Sequence, residues 1–522
     1  MDTIRNILTL NPGRSLFFEP LGLNRNNAPA VLIPIFGFLL VFGMLMLTEG
    51  SVAAAFFTFL IFALVLVTIY KVEYSFYVLI FLVLFFDQFG IPGFEPFTYT
   101  TDYFKNLKEN RYLPYSSAGV FNPIELHFIL MALVWFFTLP IKKEYKFQPI
   151  PVWGSFSLFL ITFNYAFVSG IRTGEFLVAL WEVRALFYLC FLFLFVPQII
   201  QTKKQINILL WISVAAITLK ALQAIHRYMI LGFSTAGFET LTNHEDPVFT
   251  STIFILALGC FVFGVKGKQK WWLLLLCIPL AFGFYVGLRR AAYAGLIISI
   301  AAFFVLLPML EQRFLIKRSI PYLLLLLVYV GVFWNYPNTS FSGPVNLIKS
   351  GIVEPDKETN TQDYYSNLYR DFEDYNLAVT VQRSPVLGIG FGNKYDMPLK
   401  LANISFPLRD YIPHNEIFWY LVKTGSVGFL MFWIFFNAFA FKGASTLHRL
   451  KDPFAKAVCA MITIAVINQM VVSYFDLQLT YYRNMIYLGT LMGLLPTLIA
   501  IANKEEEEQH ETEQSNNEDE DV

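Results

Sequence analysis

Charge is scarce in this 522-residue sequence: only 15% of its residues are Asp, Glu, Lys or Arg, where a soluble globular protein carries roughly 25%. With 56% apolar residues, that shortage excludes a soluble enzyme or a nucleic-acid binder. Cysteine is equally scarce. The four (Cys190, Cys260, Cys277 and Cys459) lie inside apolar blocks without CxxC spacing, so they read as small buried hydrophobes and exclude a disulfide-stapled secreted domain. The stretch from Met1 to Pro20 lacks a continuous apolar run and a small-residue cleavage site, so no removable signal peptide is expected. No internal repeat is visible either. What abounds is aromatic and aliphatic residues, with 56 Phe, 27 Tyr and 9 Trp, arranged in blocks of about 20, the length a helix needs to cross a bilayer.

The expected fold is therefore an all-α polytopic membrane protein of about 12–14 transmembrane helices with one large extracytoplasmic loop containing short helices. Apolar spans fall near 29–48, 51–70, 74–91, 124–141, 150–170, 178–200, 206–225, 249–265, 271–288, 291–309, 319–336, 416–441, 453–475 and 481–502. The chain divides into a cytoplasmic N-terminal segment (1–28), a bundle of about 11 helices (29–336), a large loop (337–415), about three further helices (416–502) and a tail (503–522). From Lys504 to Val522 the tail is acidic and without an aromatic residue, a composition that marks disorder.

Lys and Arg in short loops resist translocation, which fixes orientation. With the N-terminus in the cytoplasm, the basic loops at Lys142–Lys143–Lys146, Lys203–Lys204, Lys266–Lys268–Lys270, Arg313–Lys317–Arg318 and Lys442–Arg449–Lys451 all face inward. Both termini are then cytoplasmic and both long loops external. One short outward connection breaks the rule, because Arg289 and Arg290 sit together between two spans. An arginine costs roughly 2.5–3.5 kcal/mol at the centre of a span and less at the interface. The pair reads either as an anion site at the outer face or as arginines snorkelling into lipid headgroups. Other intramembrane charges gather in the outer half: Glu182, Arg184, Lys220, Lys423 and Arg483, with Glu125 and His127 at the start of another span. Such residues usually face a cavity or a partner. Lys220, on the helix after that of Glu182, is its expected partner.

The large loop has internal order. Tyr365, Leu368–Tyr369, Phe372, Tyr375 and Val379 recur at the spacing of an amphipathic helix, interleaved with Arg370, Glu373 and Asp374. Ser384–Pro385 stops that helix, and the Gly-rich string Gly388–Ile389–Gly390–Phe391–Gly392 follows. The string reads equally as a tight turn packed on the bundle or as backbone approaching a phosphate or sugar. The loop ends at His414–Asn415 and enters the next span directly. A lone interfacial histidine is commonly structural, but this one shares the outer surface with the arginine pair.

Three stretches resemble the O-antigen ligase and O-antigen polymerase family of bacterial envelope polysaccharide enzymes. Arg289–Arg290–Ala291–Ala292–Tyr293–Ala294–Gly295 is similar to the family's Ser-Arg-Gly-Ala-Trp-x-Gly segment, with Arg290 on its arginine and Arg289 where Ser is usual. The stretch from Ser384 to Gly392 resembles its Pro-x-x-Gly-x-Gly loop, with Arg370 as the loop arginine. His414–Asn415, nine residues, then Gly425–Ser426–Val427–Gly428 matches its most specific pattern.

The resemblance implies a membrane glycosyltransferase at the outer face of the bacterial cytoplasmic (inner) membrane, acting in lipopolysaccharide or other surface-polysaccharide biosynthesis. Its donor is an undecaprenyl-pyrophosphate-linked glycan. The acceptor is another glycan, lipid A core or a protein hydroxyl, according to whether the enzyme is a polymerase, a ligase or a protein O-oligosaccharyltransferase. The Tyr-Arg-x-x-Glu-x-Tyr-Asn stretch from Tyr369 leans towards the polymerase branch. His414 and Arg290 are the expected catalytic residues, and Arg289, Arg290 and Arg370 the pyrophosphate contacts. Glu182, Arg184, Lys220, Asn415, Gly390 and Gly392 are supporting residues. Arginines suit a lipid-pyrophosphate leaving group because they give planar, permanently charged, bidentate contacts. A histidine suits proton transfer from a hydroxyl. No metal-ligand cluster stands out, so no cofactor and a metal-independent reaction are expected, with membrane lipids as surroundings and no nucleic-acid partner. The competing readings are a flippase-like transporter, which would place its charges near the midplane, and a scaffold using the acidic tail as a docking segment.

Overall fold

A computed structural model describes residues 28–47, 50–91, 93–109, 120–139, 147–233, 238, 240–336, 342–353, 357–358, 361–403 and 406–520. The N-terminal segment up to residue 27 and the basic loop at Lys142–Lys146 lie outside the described residues. The described chain is helical, without a strand and with only an isolated bridge between Ile91 and Phe94. Among the described residues, eight helices are long and apolar enough to cross a membrane, and six shorter apolar helices accompany them. Each expected span corresponds to one of these helices, so the protein is an all-α, multi-pass membrane protein.

The chain forms two compact units. The first holds α1 (Ala28–Leu47), α2 (Val52–Tyr70), most of α3 (Val72–Phe85) and α4 (Pro123–Thr138). Two charges expected near the membrane are structural here. Glu125 closes a capping box with Asn122 at the start of α4, satisfying amides that a helix start leaves unpaired. His127 is buried and meets the Ser75 hydroxyl at 2.8 Å.

The second unit holds α5 (Trp153–Thr173), α6 (Phe176–Ile199), α7 (Lys203–Ile230), α8 (Asp246–Val262), α9 (Lys268–Val286), α10 (Arg290–Leu306), α11 (Met309–Trp334), α12 (Gly343–Ile352), α13 (Thr361–Arg383), α14 (Glu416–Arg449), α15 (Pro453–Phe475), α16 (Tyr482–Gly493) and α17 (Leu495–Glu520). Its core is α6, α15 and α16, buried along nearly their whole lengths. In contrast α11 buries no residue and carries a row of exposed leucines, as a lipid-facing helix does. Helix starts follow the sequence closely: Thr202, Asn415 and Asp452 each accept the backbone N–H three residues further on in the helix they cap, the role such side chains fill best.

The acidic tail departs from its composition. Instead of being unstructured from residue 503, α17 continues to Glu520. Its glutamates are good helix formers, and two of them meet the end of α14 and the turn after it: Arg449 donates to Glu506 at 2.6 and 2.8 Å, and the Lys451 amide donates to Glu505 at 2.7 Å.

Candidate functional site

α14 is interrupted. Gly425 sits at φ 66°, ψ −176° inside it, which leaves carbonyls before the break and amides after it without helical partners. The Gly-rich string supplies them. The amides of Ile389 and Gly390 donate to the carbonyls of Val422 and Lys423 at 3.0 Å, and the amides of Ser426 and Val427 donate to Pro385 and Val386. Backbone lies on backbone here: a Cβ on Gly388 would stand 2.4 Å from the Lys423 carbonyl oxygen, and one on Gly425 2.3 Å from that of Val386. Gly390 and Gly392 press equally closely on α5 and the start of α6, against Gly170 and Glu175. The two glycine motifs therefore dock into each other. The string is a tight turn packed on the bundle.

Glu182 locks this junction. Its carboxylate accepts from the Gly392 amide at 2.5 Å, from Trp419 Nε1 at 3.2 Å and from Lys423 Nζ at 2.7 Å, with Glu182 and Lys423 both fully buried. The expected Glu182–Lys220 pair does not form. α14 rather than α7 presents the cation to Glu182, and Lys220 bonds Gln223 within its own helix at 2.8 Å. Neighbouring in sequence did not mean neighbouring in space. Arg184, two positions on, lies over the Tyr482 ring at 6.0 Å. All three side chains are buried within the bundle.

The open site lies along α13. Asp363, Asn367, Arg370 and Asp374 recur at spacings of three and four, one face of a helix. At one end Arg290, in the first turn of α10, donates to Asn367 at 3.2 Å and stands 3.8 Å from Asp363. Arg370 is near enough to Arg290 for their charges to interact. At the other end Glu373, buried to 1% exposure, accepts the His414 amide at 2.8 Å and meets His414 Nδ1 at 3.1 Å. The Tyr369 ring packs edge-on against His414 at 5.6 Å. Asn415 caps α14 through Phe418 and reaches Asp374 at 3.3 Å. Burial holds Asp374 above the usual carboxylate range, an effect partly offset by that amide.

Arg289 diverges from its neighbour. Its Nη2 meets His244 Nε2 at 2.5 Å, and His244 Nδ1 meets Asp476 at 3.0 Å. Because the guanidinium can only donate, His244 accepts at Nε2 and carries its proton on Nδ1, facing the carboxylate. Burial alone would raise the Asp476 carboxyl, but His244, Arg289 and Arg370 together hold it well below the usual range. The loop before α8 is fixed from several sides: Arg227 donates to Leu241, Thr240 to Gly287, and the fully buried Arg483 pairs with Glu245 at 3.0 Å and Asp246 at 2.8 Å. Glu416 anchors the opposite loop by accepting the amides of Gln478, Leu479 and Thr480. Beside Arg289 a cleft of about 520 Å³ opens, lined by Phe89, Gly90, Ile91, Gly93, Phe238, Thr240, Thr242, Asn243, His244, Arg289 and Tyr481. Among the described residues no group of three or more His, Cys, Asp and Glu side chains is placed to hold a metal ion.

The structure thus brings His414, Arg289, Arg290 and Arg370 into one connected set and adds Glu373, His244 and Asp476, to which sequence reading assigned no role. Glu373 was visible in the amphipathic pattern. The signal for His244 was its place in Asn243–His244–Glu245–Asp246–Pro247, a polar cluster at the start of an apolar helix.

α13 thus sets acidic side chains and Arg370 beside His414 and Arg290. Residues 250–433 match the family model described as O-antigen ligase, a match confined to that stretch of the chain. The matched stretch includes Arg289, Arg290, Arg370, Glu373 and His414 and leaves out His244, Asp476 and Tyr481. No curated protein matches the chain.

Proposed function

We propose that this protein transfers a glycan from a lipid pyrophosphate to an acceptor hydroxyl at the outer face of the bacterial cytoplasmic membrane, with undecaprenyl pyrophosphate as the carrier. The observation that carries this reading is α13 itself, which holds Glu373 on His414 and lines Arg370 up with Arg290. The acceptor oxygen attacks the anomeric carbon as the bond to the pyrophosphate oxygen breaks and its electron pair leaves with the phosphate. Arg290 and Arg370 stabilise the charge that grows there, the contribution that is usually largest in such catalysis. His414 Nε2 takes the acceptor proton, while Glu373 holds the ring by Nδ1 and stabilises the imidazolium that forms. No step asks for a metal ion.

Repeat-unit polymerisation is the favoured version, because Tyr369–Arg370, Glu373 and Tyr375–Asn376 form the stretch that leans to that branch, and Glu373 is the residue found on His414. The test is a gel of envelope polysaccharide and lipid-linked glycan from a null strain carrying wild type, Arg290→Ala or His414→Ala. Single repeat units where wild type gives a ladder identify a polymerase. Long chains retained on the lipid identify a ligase. Unchanged ladders from both variants refute the site.

A further inference from the structure

We propose that the cleft beside Arg289 is a sugar subsite, holding the pyranose ring joined to the pyrophosphate of the donor. The inference rests on the transfer reading above and adds the part of the substrate that this cleft recognises. Arg289 and Arg290 are consecutive, yet their guanidiniums part: Arg290 turns to Asn367 on α13 and Arg289 to His244 at the cleft. A ligand whose pyrophosphate lies on Arg290 and Arg370 places its first sugar one bond away, against Arg289.

The lining suits a sugar better than an isoprenoid chain. Phe89 packs on Tyr481 at 5.0 Å and Phe238 on Phe94 at 5.6 Å, giving two aromatic surfaces for the C–H face of a pyranose. Asn243, His244 and Arg289 set polar groups among them. Tyr481 lines the cleft at 7% exposure, and its hydroxyl makes no hydrogen bond among the described residues. A phenol carries its proton at neutral pH and so is a standing donor. A cleft of about 520 Å³ falls within the ~300–1,000 Å³ of small-ligand pockets, whose apolar walls and few placed polar groups it shares. Most of its wall comes from residues 89–91, 93, 238, 240, 242–244 and 481, beyond the stretch matched by the family model. The arginine that defines its inner end lies within that stretch. A shared reaction centre with a separately built wall is the arrangement expected where enzymes of one chemistry choose different sugars.

The test uses the full chain in lipid nanodiscs and two probes from a strain lacking the protein: undecaprenyl pyrophosphate bearing its repeat unit, and the same lipid without glycan. Binding is read directly by native mass spectrometry, so the result does not depend on turnover. Tyr481→Phe removes one oxygen that supports no internal contact, and Phe238→Ala removes one aromatic face. Matched melting temperatures check that both variants are folded. Each variant is expected to weaken the glycan-bearing probe about five- to tenfold, the range of one hydrogen bond or one partly buried ring. Affinity for the bare lipid should stay within about twofold. Equal weakening of both probes would assign the cleft to the lipid chain, and no weakening of either would remove it from donor binding; both overturn the proposal. If glycan binding depends on the cleft while no transfer occurs in any assay, the subsite stands and the transfer reading fails.

Discussion

Glu182–Lys423 and Glu373–His414 are both carboxylate–base pairs in the same unit, both joined to α14 or its first residues, and they behave as opposites. The first is sealed: both side chains are fully buried, and Glu182 is completed by Trp419 and the Gly392 amide. The second is half open, with Glu373 buried and the His414 side chain 26% exposed. A charge whose partners are complete holds a structure together. A charge held on one side and available on the other can act on a substrate. From sequence the two looked alike, since both were ionisable groups in or beside apolar spans.

The largest expected effect falls on the open pair. His414→Ala should lower transfer by roughly 10²–10⁴-fold, the scale of a general base, and Arg290→Ala by roughly 10²–10³-fold, the scale of a charge-stabilising donor. Both are measured as initial rates in proteoliposomes, with melting temperature unchanged. Glu373→Gln should cost about tenfold or more through the lost charge-assisted hydrogen bond. In a His414→Ala background it should add little, because the two act as one unit.

The sealed pair should respond in stability. Lys423→Met leaves Glu182 buried without its cation, an error of about 3–5 kcal/mol, read as a lowered melting temperature and reduced membrane yield. Adding Glu182→Gln should recover much of it, and no such recovery is expected at His414 and Glu373. Gly425→Ala should also destabilise, by more than about 1 kcal/mol, since its positive φ and the Val386 carbonyl leave no room for a Cβ. The smallest effect is expected at the tail. Arg449–Glu506 is a partly exposed pair, of a kind worth about 0–1 kcal/mol, so truncation after Asn503 should leave glycan output as it was.

The spans were legible because a bilayer demands about twenty apolar residues, and little else in a sequence makes that pattern. The amphipathic run that became α13 and the histidine at the head of α14 were legible for similar reasons of spacing. Pairings were not. Glu182 found Lys423 some 240 positions away instead of Lys220 on the next helix, at a junction where the Gly392 amide and Trp419 also meet it. His244 and Asp476 stand 232 positions apart, and neither lies in a motif that announces the other. The tail misled in another way. Its composition fits disorder, but its glutamates are also good helix formers, and Arg449 and Lys451 bond Glu506 and Glu505.

The most direct measurement is the transfer rate of purified His414→Ala in proteoliposomes beside that of Lys423→Met, each with its melting curve. The account predicts that His414→Ala loses transfer at unchanged melting temperature, while Lys423→Met loses melting temperature and keeps its rate per folded molecule within about tenfold. Transfer that survives His414→Ala, or a melting loss at His414 as large as that at Lys423, would contradict it.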